Sequence, residues 1–230
     1  MKTIGLIGGM SWESTTLYYQ LINREVAQRL GGLSSARLNL VSLDFQDIAQ
    51  RQRAGDWAGM SAILRQAARR LQDTGAQCLL IGTNTMHKLA PEVQADVNVP
   101  LIHIVDVTAD AILAQGLDTV GLTGTRFTME EAFYVDRLRE RGIRCVLPDE
   151  AQRTEIHRII FEELCQGEVS ESSRAWLSGC ITDLKSRGAQ GVVLGCTELP
   201  LIVGPQDSCL PTFDTTALHA MAAVDFALAV

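Results

Sequence analysis

The sequence predicts an α/β fold built as two pseudo-symmetric αβα domains, each with a mainly four-stranded parallel sheet, and an active site in the cleft between them. Three observations carry that prediction. Apolar runs of strand length alternate with stretches of helical periodicity, the pattern of parallel sheets covered by helices on both faces. Residues 74–84 can be laid over residues 187–197 without a gap: in each copy Gly-Ala-Gln leads into a buried strand, a glycine and then one chemically distinctive position, Thr83 in the first and Cys196 in the second. The second half also opens as the first does, with Val120-Gly121-Leu122 matching Ile4-Gly5-Leu6, so the repeat is about 110 residues long. The expected boundaries are residues 1–105 with a C-terminal helix at 215–230 for one domain, and 106–214 for the other.

Taken in order, residues 2–9 form a short buried strand ending in glycines, after which Ser11 or Ser14 caps a helix over 15–30 closed by Gly31-Gly32. A strand at 37–43 precedes a polar turn from Asp44 to Gly55. Apolar residues at Trp57, Met60, Ile63, Leu64, Ala67, Ala68 and Leu71 define the next helix. Cys78–Ile81 is the third strand, Asn84 or Thr85 opens a helix, and 99–104 is a fourth strand followed by a helix from Asp106. In the second half, strands are expected at 118–125, 143–147 and 191–194, with helices over 128–141, 152–166 and 171–187. Pro211-Thr212-Phe213-Asp214 then parallels the strand before Asp106 and opens the last helix.

Composition narrows the function classes. With 230 residues, 47% of them hydrophobic and 20% charged, the chain has the make-up of a soluble globular protein. A net charge of -7 argues against nucleic-acid or anionic-membrane partners, which require a basic surface. There is no signal-peptide pattern and no apolar run of membrane-spanning length, so a cytoplasmic location is expected. The six cysteines form no CxxC pairs, and His87, Asp44 and Glu198 have no metal-ligand spacing, so neither a disulfide framework nor a metal is expected.

In open α/β sheets ligands bind beyond the carboxyl ends of the strands. Four loops lie at such ends: Gly8-Gly9-Met10-Ser11, Thr83-Asn84-Thr85, Thr123-Gly124-Thr125 and Cys196-Thr197-Glu198. The spacing of Gly5, Gly8 and Gly9 is not GxGxxG, which leaves a tight strand-to-helix turn or a carboxylate cradle of backbone N–H groups. The hydroxyls and amide of Thr83-Asn84-Thr85 and Thr123-Gly124-Thr125 suit a small carboxylate, although they are equally good helix caps. Cys196, beyond its strand and at an expected helix N-terminus, should have a lowered pKa and favour the thiolate. Cys78, Cys145, Cys165, Cys180 and Cys209 fall within strands or helical stretches and are expected to be structural. A Cys196–His87 pair is conceivable, whereas His103, His157 and His219 have no motif context.

Together, the stretches from Ile4 to Ser14, Thr83-Asn84-Thr85-Met86-His87-Lys88, Leu194-Gly195-Cys196-Thr197-Glu198 and Phe213-Asp214-Thr215-Thr216 resemble the aspartate/glutamate racemase family. Within it, the broad-specificity and L-aspartate/glutamate racemases with a Thr/Cys pair are most similar. The resemblance covers the whole chain and implies a homodimer with no cofactor, acting on a small-molecule amino acid. It implies that Thr83 and Cys196 exchange the Cα proton on opposite faces of the substrate. It places Met10, Gln52, Asn84, Thr85, Thr123, Thr125 and Thr197 around the substrate, and Ser11 and Glu198 share those loops. Most members have cysteine at both acid/base positions; here the first is Thr83, a weak base without assistance from Glu198 or His87. Many acidic-substrate members carry a lysine three residues after the glycine matching Gly167, where this chain has Ser170; Arg51 or Arg53 could replace its charge. The alternatives are a single-cysteine relative, such as a malonate-type decarboxylase or a maleate isomerase, and a non-catalytic amino-acid-binding protein.

Overall fold

The computed structural model describes residues 1–229. They divide into two compact units, Met1–His103 with His219–Val230, and Ile104–Leu218.

The first unit is built on β1 (Ile4–Gly8), buried at all five positions. Helix α1 (Trp12–Leu30) follows, then β2 (Leu38–Ser42), α2 (Phe45–Ala54), α3 (Trp57–Asp73) and β3 (Cys78–Ile81). A 3-10 turn over Thr85–Leu89 leads into α4 (Ala90–Ala95). The sheet runs β2-β1-β3, all parallel, with Ile4 opposite both Leu38 and Cys78. Because alternate residues of a strand point to opposite faces, Ile4 and Leu6 pack with Tyr18, Ile22 and Val26 of α1. Ile7 packs on the other face with Met60, Leu64 and Leu71 of α3.

Two expectations fail in this unit. The segment 45–54, expected to be a polar turn, is a helix: Asp44 caps it by accepting from Gln46 N at 2.9 Å, and Gly55 closes it in the left-handed region at φ 69°. Its inner face is Ile48, Ala49 and Gln52, and a glutamine in the third core position conceals the helical period. The expected fourth strand at 99–104 shrinks to a single bridge between Leu79 and Leu101. Pro100 has no N–H to give a ladder. The Gln94 side chain takes the outer backbone groups, accepting from Leu101 N at 2.8 Å and donating to Val99 O at 3.1 Å.

The second unit opens with α5 (Ile104–Ala114), followed by β4 (Thr119–Gly124), α6 (Arg126–Glu130), α7 (Ala132–Glu140), β5 (Arg144–Val146) and α8 (Glu150–Arg158). Then come α9 (Glu171–Ser186), β6 (Gly191–Gly195) and β7 (Thr212–Asp214), and the chain continues into α10 (Thr215–Leu228), which from His219 onward belongs to the first unit. The sheet of the second unit is four-stranded and parallel, in the order β5-β4-β6-β7. Val120 and Leu122 pack with Tyr134 and Leu138 on one face. Val192 and Leu194 pack with Leu177, Ile181 and Leu184 on the other. The helix expected over 128–141 is two helices, because Glu131 is extended at ψ 144°. The one expected over 152–166 widens to a π-turn at Ile159–Glu163 and closes as a 3-10 turn before Gly167, at φ 78°. Cys209 lies in an exposed bend rather than in a strand or helix. Pro205 and Pro211, which lack the N–H donors of regular structure, flank it.

The sequence repeat has a structural counterpart inside each unit. Gln77 Oε1 accepts from Thr3 N at 3.0 Å while its own N–H reaches Thr3 O at 2.8 Å. Gln190 Oε1 accepts from Asp118 N at 3.1 Å while its N–H reaches Thr119 O at 2.9 Å. Each twin glutamine therefore stitches the start of one strand to the start of its neighbour. Among the described residues no helix is long and apolar enough to cross a membrane.

Candidate active site

In the first unit the sequence-selected residues lie at the carboxyl ends of β1 and β3 and on α2. Beyond β1 the chain turns at Gly9, whose φ of +83° and closeness to Leu43 (2.2 Å from a Cβ to Leu43 O) admit no side chain. Thr15 Oγ1 holds this turn, accepting from Gly9 N and donating to Ser11 O, both at 2.7 Å. Met10 and Ser11 are buried, and the peptide bond joining them is cis. Gln52 is buried on the inner face of α2.

Beyond β3, Thr83 is partly exposed while Asn84 and Thr85 are buried. Thr83 N donates to Ile81 O at 2.8 Å, which turns the chain sharply as the strand ends. The following turn is too tight for α-helical bonding: His87 N donates to Asn84 O at 3.1 Å. The His87 ring then reaches back to the Thr83 carbonyl, Nδ1 to O, at 2.8 Å.

In the second unit the ends of β4 and β6 are drawn together by two glycines. A Cβ on Gly195 would lie 2.6 Å from Thr123 O, and one on Gly124 would lie 2.7 Å from Gly195 O. Thr123 donates its hydroxyl to Val193 O at 2.9 Å, so its proton is used by the sheet and only its lone pairs stay available. Thr125 caps α6, accepting from Thr128 N at 3.3 Å. Thr215 donates to Leu194 O at 2.8 Å and steadies the last turn of β6. Asp214 caps α10 by accepting from Thr216 N and Ala217 N; burial still pushes its carboxyl pKa up.

Cys196, Thr197 and Glu198 are all buried, and two of them meet on the third. Cys196 Sγ donates to Glu198 Oε2 at 3.0 Å, and Thr197 Oγ1 donates to the same oxygen at 2.9 Å. The expected thiolate is overturned here: burial first, and the Glu198 charge second, push the Cys196 thiol well above its ordinary value. No long helix follows to offset them, since Cys196 leads through a turn into a 3-10 segment of three residues, Leu199–Leu201. The resting group is a protonated thiol with a carboxyl oxygen at hydrogen-bond distance. Cys165 packs against the core cluster that contains Cys196 and helps to raise its thiol, a neighbourhood that its position in an apolar helical stretch did not reveal.

The sequence-selected histidines separate. His157 packs between Phe127 and Phe161. His87, His103 and His219 come together in the first unit, a convergence that their spacing along the chain does not foreshadow. Among the described residues no group of three or more His, Cys, Asp or Glu side chains is arranged to hold a metal ion.

Known proteins share this framework. The family model described as Asp/Glu/Hydantoin racemase matches residues 7–223. The structure of a candidate Asp/Glu racemase from Yersinia pestis is similar over 100% of both chains, with 50% identity and a TM-score of 0.92. That of an aspartate racemase homologue from Pyrococcus horikoshii OT3 is similar over 99% of both chains, with 36% identity and a TM-score of 0.84. The broad specificity amino-acid racemase RacX of Bacillus subtilis (strain 168) is 25% identical over 98% of each chain.

Proposed function

The chain belongs to the Asp/Glu/Hydantoin racemase family, and from that premise we propose that it is a PLP-independent racemase inverting the Cα of an amino acid by two-base proton transfer between Cys196 and Thr83. Membership of the family supports amino-acid racemase activity; the assignment of the two bases rests on the residues. The observation that carries it is the Cys196 thiol at the end of β6 with its proton directed at Glu198 Oε2, 3.0 Å away. In the repeat, the position equivalent to Cys196 is Thr83 at the end of β3.

In this mechanism the Sγ proton passes to Glu198, and the thiolate so formed removes the Cα proton from one face of the substrate. The Thr83 hydroxyl delivers a proton to the other face; before the next turnover Glu198 gives up its proton to solvent and the Thr83 oxygen takes one back, and the reverse reaction uses the same groups in the opposite roles. The Cα–H is a very weak acid, so the carbanion-like transition state needs donors preorganised around the α-carboxylate. Met10, Ser11, Gln52, Asn84, Thr85, Thr123, Thr125, Thr197 and Glu198 form the substrate-binding set; for Thr123 the contribution is as an acceptor or through its backbone. Candidate substrates are aspartate, glutamate or a broader range, since the similar proteins are described in both ways.

The test is incubation with a panel of L-amino acids in deuterium oxide, read by chiral chromatography and mass spectrometry. Inversion with one deuterium gained at Cα is expected, and Cys196→Ser should lower the rate by about 10³-fold or more. Near-normal turnover of that variant would sink the assignment. The presence of threonine at the first position favours one second function, decarboxylation by a single thiol; release of carbon dioxide from a substituted malonate, without inversion of any amino acid, would establish it instead.

A further inference from the structure

We propose that His87 is a positioning residue for Thr83: its imidazole N–H fixes the Thr83 main chain, and an array of His103, His219 and Tyr18 packed behind it fixes the imidazole. The proposal rests on Thr83 being the second proton-transfer residue.

The local geometry creates the need. In an α-helix the Thr83 carbonyl would accept from the N–H four residues on, that of His87. Here His87 N bonds Asn84 O instead, in the tighter 3-10 pattern, and leaves the Thr83 carbonyl without that donor. The His87 side chain supplies it, Nδ1 lying 2.8 Å from Thr83 O. A carbonyl only accepts, so Nδ1 carries the proton. The residue that gives up its backbone N–H to the tight turn thus returns a ring N–H to the same carbonyl.

The ring is held from behind. His87 is buried, and its ring lies edge-on to His103 with centroids 4.7 Å apart and to His219 with centroids 5.5 Å apart. His219 is itself fixed at both nitrogens: Nε2 donates to Ile102 O at 2.7 Å, and Nδ1 accepts from the Tyr18 hydroxyl at 2.8 Å. Burial lowers its pKa to about 4, so it keeps this neutral tautomer at neutral pH. Tyr18 is wholly buried on α1. Two helices, α1 and α10, therefore determine where the His87 ring sits, and through it how the Thr83 main chain is held. An apolar residue of similar bulk would fill the space equally well; the imidazole adds one N–H at one carbonyl.

The test compares His87→Asn with His87→Leu. The Asn amide nitrogen is attached to Cγ, as Nδ1 is, and can take over the bond; Leu fills space without a donor. A misplacement of about 1 Å can cost about 100-fold in rate, which sets the loss expected for His87→Leu, while His87→Asn should recover about tenfold or more of it. The decisive readout is the isotope effect on kcat/KM for each enantiomer of the best amino acid in the panel, protonated or deuterated at Cα. Slowing the Thr83 step makes it more nearly rate-limiting. The isotope effect must then rise for the enantiomer whose Cα–H faces Thr83 and fall for the other. A general loss of folded enzyme would scale both rates and leave both isotope effects unchanged.

A folded His87→Leu protein with unaltered isotope effects overturns the proposal, as does a His87→Asn protein no better than His87→Leu. If His87→Leu does not fold, His87→Asn decides: wild-type isotope effects support the role, and the rise and fall described above overturns it. Thr83→Ala is run in parallel. Normal inversion by that variant refutes the Thr83 assignment itself, whereas an inactive Thr83→Ala beside an unaffected His87→Leu refutes only the role of His87.

Discussion

Cys196 donates to a carboxyl oxygen inside a buried loop, so the resting thiol holds its proton more tightly than a free cysteine would. The Glu198 charge raises the thiol pKa, and Glu198 is also the acceptor for the proton that the thiol must lose before it can act as a base. Glu198→Gln separates these effects. Removing the charge lowers the Cys196 pKa, so the rise of kcat/KM with pH, which follows thiolate formation, moves to lower pH. The plateau should fall, because an amide cannot take up the proton. A pH–rate profile for each enantiomer checks both, and an unmoved profile would detach Glu198 from the titration of Cys196. At this scale the sequence exposed the reactive positions, because they directly follow the strand-ending glycines. It could not show that Thr197 and Cys196 share one oxygen of Glu198, or that Thr123 gives its proton to β6; those facts depend on turn geometry and strand register.

At the scale of elements, β6 delivers Cys196 only because β4 and β6 approach closely where they end. In Gly195→Ala the new Cβ would meet Thr123 O at 2.6 Å, a main-chain atom that cannot move without opening the ladder. The expected cost is about 1–3 kcal/mol of stability, with a larger proportional loss of activity, measured by urea unfolding alongside turnover. Gly179→Ala is the opposite case. It lies on the exposed face of α9 with nothing within 4 Å of the added methyl, so a gain of up to about 1 kcal/mol is expected. The elements least legible in the sequence were those whose signal was borne by polar residues. Helix α2 hides behind a buried glutamine, and residues 99–104 look like a strand until Pro100 and the Gln94 side chain are considered. Strands β1, β3, β4 and β6 were legible because each is buried at every position and built from apolar residues and glycine, with threonine only in β4.

At the scale of the whole molecule, each unit carries one sheet with the same order around its first strand, yet the chemistry placed at the matching ends is unequal, a thiol in one and a hydroxyl in the other. Thermodynamics limits how far that inequality can reach. L and D enantiomers have equal free energy in water, so a racemase must show equal kcat/KM in the two directions, however different its kcat and KM values are. Progress curves from each pure enantiomer should therefore give unequal kcat and KM but one common ratio, and a reproducible tenfold difference between the ratios would exclude simple racemisation. The distribution of sulfur across the molecule has a separate, practical consequence. Cys209 is exposed, whereas Cys196 is buried and burial drives Cys78 and Cys145 to about 11 and Cys180 to about 12. An alkylating reagent at neutral pH will consume its first equivalent at Cys209 and leave turnover intact. Aerobic storage will join copies of the chain through that residue, producing covalent dimers on non-reducing gels unrelated to any native assembly. Labelling of Cys196 becomes interpretable only once Cys209 has been replaced by serine.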